Sequence, residues 1–324
     1  MASISVFQCV YIVFLLAWIS DFGYGDTVFD VMKDGAVADG KTDNSKVFEN
    51  VFQKACQSEG MNVVLIPQGT YLLYPIILKG PCKGQVEFQI KGTLKASTDK
   101  AHTINVNHWI TFQYIDQLVL SGGGTLDGQG TSAWDDNTCS KDPNCKSLPI
   151  SLRFDFVTNS RISHLTSINS KNAHVNLFGC KGIMVVNVKC GPGHGVSVGS
   201  LGGSAGEEDV SGLVVTNCTF TGTDNGVRVK TWAKPYASNV FNSIAHLPIG
   251  DSQIQIHNVK YRNIRGTSST KIAVAFECSK VKPCEDIELK EINLAYQGAD
   301  GPVASSCSNV KGVASGEQQP PSCV

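Results

Sequence analysis

Charge of one sign is the first thing this sequence lacks. Its 27 lysines and arginines stand against 28 aspartates and glutamates, a net charge of −1 over 324 residues. No basic excess points to nucleic acid or to an anionic membrane surface. Recognition of any anion must therefore be local. Long apolar runs are also missing after residue 25, so nothing there is fit to span a bilayer. No linker or low-complexity break divides residues 26–304. Acidic side chains thin out in one region: across residues 159–208 they are only Glu207 and Glu208, at its end.

What is present begins with an apolar N-terminal stretch, residues 6–19. It has the length of a signal-peptide core and is short for a membrane span. Gly23-Tyr24-Gly25 supplies small residues where a signal peptidase reads, so residues 1–25 are expected to be a signal peptide cleaved before Asp26. The alternative is a buried helix or retained anchor. Removing the segment removes Cys9 and leaves eleven cysteines. A secreted chain this rich in cysteine is expected to form disulfides. Cys139/Cys145, Cys278/Cys284 and Cys307/Cys323 are close enough for local staples, and an odd count leaves one thiol over. Asn217-Cys218-Thr219 is an N-glycosylation acceptor pattern, open to being a buried, unused one.

One helix is legible. Asp43, Asn44 and Ser45 offer N-cap side chains, and Val47, Phe48, Val51, Phe52 and Ala55 recur on one face. It is placed as a cap on the open end of a larger structure. The rest reads as short β runs separated by Gly, Asn, Asp and Ser. Residues 183–198, 213–229 and 254–276 repeat one unit: strand, Asn-containing bend, strand, turn, strand. Such units cannot bury an apolar face alone and must stack. The fold expected is an all-β parallel β-helix, one domain over residues 26–324, ending in a loose cap at residues 305–324.

Aligning the repeats places Gly195-Val196-Ser197 one coil before Gly226-Val227-Arg228, with strands roughly 4.8 Å apart. His194 then lies beside Asn225. Arg228 and Lys230, two apart on a strand, share a face. An imidazole, a guanidinium and an ammonium together suit a carboxylated ligand, which Arg can clamp with two hydrogen bonds. A solvated basic face is the other reading of the same cluster.

The residues around this cluster resemble a known family. Gly191-Pro192-Gly193-His194-Gly195-Val196-Ser197 is similar to the Gly-His-Gly signature of the polygalacturonases, glycoside hydrolase family 28. Asn225-Gly226-Val227-Arg228-Val229-Lys230-Thr231 is similar to their Arg-Ile-Lys segment. Asp39-Gly40-Lys41-Thr42-Asp43, Gly122-Gly123-Gly124-Thr125-Leu126-Asp127-Gly128 and Asn169-Ser170-Lys171-Asn172 resemble the plant pollen-type exo-acting group. The resemblance implies a right-handed parallel β-helix and hydrolysis of α-1,4-galacturonan in pectin with inversion. It implies a secreted, cell-wall setting, no cofactor or metal, and a monomer. His194 would be catalytic, supporting protonation of the acid. Arg228 and Lys230 would bind the substrate carboxylate.

The family takes its acid and bases from an Asn-Thr-Asp and a Gly-Asp-Asp segment, on two coils between the stretches matching Cys180 and Cys190. Here nine residues separate those cysteines, and neither segment occurs. The family partner of Cys190 would lie on a missing coil. A second shortening falls between Trp232 and Asp251, where Tyr236 does not align to the family's sugar-contacting Tyr. Glu207, Glu208 and Asp209 read as an acidic loop, and Asp135-Asp136 as a rim. The resemblance thus leaves two readings open: a pectin-cleaving hydrolase, or a pectin-binding member or shortened variant that cleaves nothing. A calcium-dependent pectate lyase shares the shape, but the Gly-His-Gly and Arg-Val-Lys pattern points away from it.

Overall fold

The computed structural model describes residues 26–102, 106–135, 137–139, 142, 145–203, 207–232 and 252–324. The expected signal segment with Cys9, and likewise Asp136 and Tyr236, lie outside the described residues. Residues 27–231 form three parallel sheets of seven, seven and six strands. Each coil contributes one short strand to each sheet in turn. One coil leaves the third sheet at Ala173–Phe178, passes through Lys181–Val186 in the first and Lys189–Gly191 in the second, and re-enters the third at His194–Leu201. This is the expected parallel β-helix, with the right-handed crossover that parallel connections take.

Stacking is enforced by side chains that alternate inward and outward along each strand. In the third sheet Leu78, Phe112, Phe154, Leu177 and Val198 pair in one inward ladder. In the first sheet Val64, Phe88, Leu120, Ile162 and Val185 do the same. All ten are buried. Phe112 bridges the ladders, its ring centroid 5.6 Å from Phe88 and 5.4 Å from Phe154. Each buried ring or branched chain contributes about 1.5–3 kcal/mol of transfer free energy. The bends between first and second sheets need left-handed backbone, and Asn187 (φ 54°) and Asn217 (φ 52°) supply it, as short polar side chains can.

The helix spans Ser45–Cys56 and buries Phe48, Val51, Phe52 and Ala55; Val47 is only partly buried. Its face meets Tyr71 and Phe88, so it closes the N-terminal end of the stack. Asn44 holds the N-cap position without capping. Its side chain instead ties down Val37, and Asp43 accepts from Ser45. Cys56–Cys82 pins the helix's last turn to the Gly80-Pro81-Cys82 segment.

Three expectations need correction. Among the described residues the unit at 254–276 pairs only onward and not with the earlier coils: His257–Ser268 pairs with Cys284–Tyr296, and Ile272–Glu277 with Ala304–Ser308. Left-handed Asn258 and Asn263 bend that long strand while its partner follows. The tail is not a loose cap, because Val310–Gln319 adds a third strand to Cys284–Tyr296; backbone ladder bonds ask little of Gly and Ser side chains. Lastly, three thiols are free, not one: Cys180, Cys190 and Cys218. The three local disulfides form as expected, with Cys56–Cys82 the fourth.

Candidate active site

The third sheet presents its outer face through side chains that alternate with the buried ladder. Val196 pairs with Val227, Ser197 with Arg228 and Gly199 with Lys230, as the repeat alignment required. Gly193 bridges Thr223, and the Asn225 carbonyl accepts from Gly195 N at 2.9 Å. His194 therefore sits opposite the Asp224–Asn225 peptide. The structure brings His194, Arg228 and Lys230 onto neighbouring strands.

The glycines around His194 have a steric cause. A Cβ on Gly195 would stand 2.1 Å from the Gly226 carbonyl oxygen, so only glycine lets the next coil approach. Gly193 adopts φ +135°, and a Cβ there would press on the Ser170 and Asn172 carbonyls. The loop before His194 is fastened from below by His174, which is fully buried. Pro192 O lies 3.1 Å from its Nε2 and Ser167 Oγ 2.7 Å from its Nδ1. A carbonyl only accepts, so Nε2 carries the hydrogen and Ser167 donates to Nδ1. Burial pulls the His174 pKa down to about 4, against the raising effect of the Pro192 bond. The imidazole stays neutral and in this tautomer.

The site's electrostatics favour an incoming anion. Burial lowers the His194 pKa, Arg228 and Lys230 lower it further, and Asp224 opposes them. Asp224 Oδ2 lies 3.0 Å from His194 Nδ1 without a hydrogen bond between them, and the two carry opposite charges only when the imidazole is protonated. Arg228 is half-buried, and burial lowers its pKa too. Its Nε donates to Ser197 Oγ at 3.3 Å. No carboxylate among the described residues comes within ion-pair distance of it. Asp224 acts on it only from farther off, partly offsetting the burial, and a cation partly stripped of water without a carboxylate at ion-pair distance is a place for a ligand carboxylate.

A profile of the glycosyl hydrolases family 28 matches residues 56–189, 179–249 and 248–318. The chain belongs to this family. An exopolygalacturonase of Platanus acerifolia is 38% identical, covering 91% of this chain and 97% of that one. A polygalacturonase of Nicotiana tabacum is 36% identical, with coverage of 97% and 96%. Among solved structures, a family 28 exopolygalacturonase of Yersinia enterocolitica superposes with a TM-score of 0.58 at 14% identity, covering 89% of this chain and 68% of that one. That likeness concerns the fold alone.

The alignments also show that relatives carry stretches this family 28 chain lacks. The one with the Nicotiana relative runs over 388 positions, more than the 324 residues here. The relative therefore carries stretches without a counterpart. The first two profile matches overlap on residues 179–189, the coil at the expected junction. There Ala173–Phe178 pairs directly with His194–Leu201, Val175 on Val196 and Leu177 on Val198. The stack closes in register over the gap.

Two of the acidic residues named from sequence have partners of their own. Glu208 reaches Lys181 on the first sheet, and Glu207 accepts from Gly202 N at 2.7 Å. Sequence reasoning missed Asp224, since the alignment offered Asn225 as the neighbour of His194. It also missed Asp155, a buried carboxylate on the third sheet held by Arg153 and Gln113. The signal for Asp155 was available in the Arg153-Phe154-Asp155 alternation. Among the described residues no group of three or more His, Cys, Asp or Glu could hold a metal ion. No described helix is long and apolar enough to cross a membrane.

Proposed function

We propose that this family 28 chain acts on α-1,4-galacturonan, the backbone of pectin, as a polygalacturonase of the exo-acting type, in the plant cell wall. The observation that supports this reading is the half-buried Arg228, with no carboxylate at ion-pair distance among the described residues, standing with Lys230 and His194 on one outer face. Arg228 and Lys230 bind the galacturonate carboxylate, and His194 stands against the sugar at the scissile bond. Inverting hydrolysis needs a proton for the leaving oxygen and a base for the attacking water, on carboxyl groups about 6.5–9.5 Å apart. Asp224, beside His194, is the carboxylate nearest to that work. The names of the Platanus and Nicotiana relatives agree with the substrate.

A specific observation supports a second reading. The two segments that furnish the family's acids are absent, and the stack closes over their place. The chain would then grip galacturonate without cleaving it. Both readings are tested by measuring reducing ends released from polygalacturonic acid, beside calorimetric binding of galacturonate oligomers. The first expects turnover that His194→Ala and Asp224→Asn abolish. Binding that Arg228→Ala removes, with no turnover in a cooperatively melting protein, establishes the second. Absence of both overturns the galacturonan assignment.

A further inference from the structure

The bend at Asn217 repeats a device used elsewhere in the stack, with one difference. Asn159, Asn169 and Asn187 also hold left-handed backbone, Asn187 at the same bend one coil earlier, and each commits its side-chain amide: to Asp116, Asp127 and His164 respectively. Asn217 is equally left-handed (φ 52°) and exposed, yet its amide has no hydrogen-bond partner among the described residues. It sits between Val214–Thr216 and Thr219–Phe220. Cys218 is half-buried against the core and directs its thiol at the Val185 and Thr216 carbonyls. The flanking Asn217 and Thr219 are both exposed. No other Asn-X-Ser or Asn-X-Thr occurs in the chain.

We infer that Asn217 carries an N-linked glycan, added in the secretory pathway. In that transfer the Asn217 amide nitrogen attacks C1 of a lipid-diphosphate-linked oligosaccharide. The C1–N bond forms, the C1–O bond to diphosphate breaks, one amide proton is lost, and the lipid diphosphate departs. Thr219 supplies the hydroxyl that the acceptor pattern requires. The folded chain accommodates the product because the amide points at solvent from a bend that glycan attachment does not distort.

The location gives the glycan a use. Among the described residues, Val214–Thr216 and Thr219–Phe220 are the last strands of the first and second sheets. Such strands offer open backbone groups to another chain, and a bulky hydrophilic glycan at their shared bend obstructs that pairing. His194, Arg228 and Lys230 lie on the third sheet, so the glycan leaves them clear. The inference depends on passage through the secretory pathway and is independent of turnover.

The test is to express the full chain in plant cells and to measure its intact mass from medium and lysate, before and after treatment with an N-glycan amidase. The expected result is a heavier wild-type protein that loses mass on treatment, with Asn217 converted to Asp in the released peptide. Asn217→Gln and Thr219→Val should lack the added mass, and Thr219→Ser should keep it. Equal masses for wild type and Asn217→Gln in both fractions would overturn the inference. Unchanged galacturonate binding by the amidase-treated protein is expected; altered binding would overturn the claim that the glycan stands clear of the site.

Discussion

The two groups of sheets solve the same stacking problem by different means. Across residues 27–231 the coils bury continuous apolar ladders, and the three thiols inside them stay unpaired. Burial raises all three, Cys190 to about 12, so they behave as packing groups with little thiolate character. Across residues 257–324 the fully buried cluster is four residues, Cys284, Ile287, Leu289 and Ile292. Each region holds two disulfides, Cys56–Cys82 and Cys139–Cys145 in the stack and Cys278–Cys284 and Cys307–Cys323 in the later sheets. The later sheets therefore carry more covalent staples for each buried side chain, as a smaller core requires. The His194, Arg228 and Lys230 cluster stands on the well-buried stack, where the paired coils hold it in register.

Four experiments would sharpen or break that contrast. Phe112→Ala should cost about 4 kcal/mol, because its ring joins the two inward ladders; urea unfolding would measure it. A loss below about 1 kcal/mol would mean the stack does not depend on its ladders. Next comes Cys307→Ser with Cys323→Ser, expected to cost about 3 kcal/mol through the freed loop. Limited proteolysis should then cut within residues 257–324 first. First cleavage in the stack would reverse the contrast.

Acid should distinguish the two regions by a similar amount. His174 titrates near 4 in the fold and at 6.5 when unfolded, so between those values the unfolded chain holds the extra proton. Stability is complete above pH 6.5 and falls by roughly 3 kcal/mol as pH drops through 4. His257, the histidine of the later sheets, is exposed, so the stack should weaken first. In His174→Phe the slope from this group should vanish, which pH-dependent urea unfolding would show. The smallest effect concerns binding. Arg228→Ala should weaken galacturonate binding by about 2 kcal/mol. Arg262→Ala should leave it unchanged, since Arg262 already pairs with Glu288 on the later sheets; calorimetry would compare them.

Much of this was legible in the sequence, for particular reasons. Alternation and turn residues revealed the coils, because a strand's two faces are written at period two. The Val196–Val227 and Ser197–Arg228 registers followed from matching repeats, and with them the meeting of His194, Arg228 and Lys230. The helix was readable from Phe48, Val51, Phe52 and Ala55, and the local disulfides from spacing. The break in the repeat after residue 254 was not legible, since Asn258 bends a paired strand as readily as it joins two. Nor was the count of free thiols, because pairing depends on where the Gly80-Pro81-Cys82 segment crosses the helix end.

The sequence by itself determined the stacked β architecture, family 28 membership and the residues of the basic cluster, since periodicity and motif are local properties of the chain. Only the tertiary structure decided which groups surround that cluster. Asp224 stands on His194, His174 holds the loop beneath it, and no described carboxylate comes within ion-pair distance of Arg228. Those contacts lie between coils, where register and burial choose partners that no spacing along the chain records.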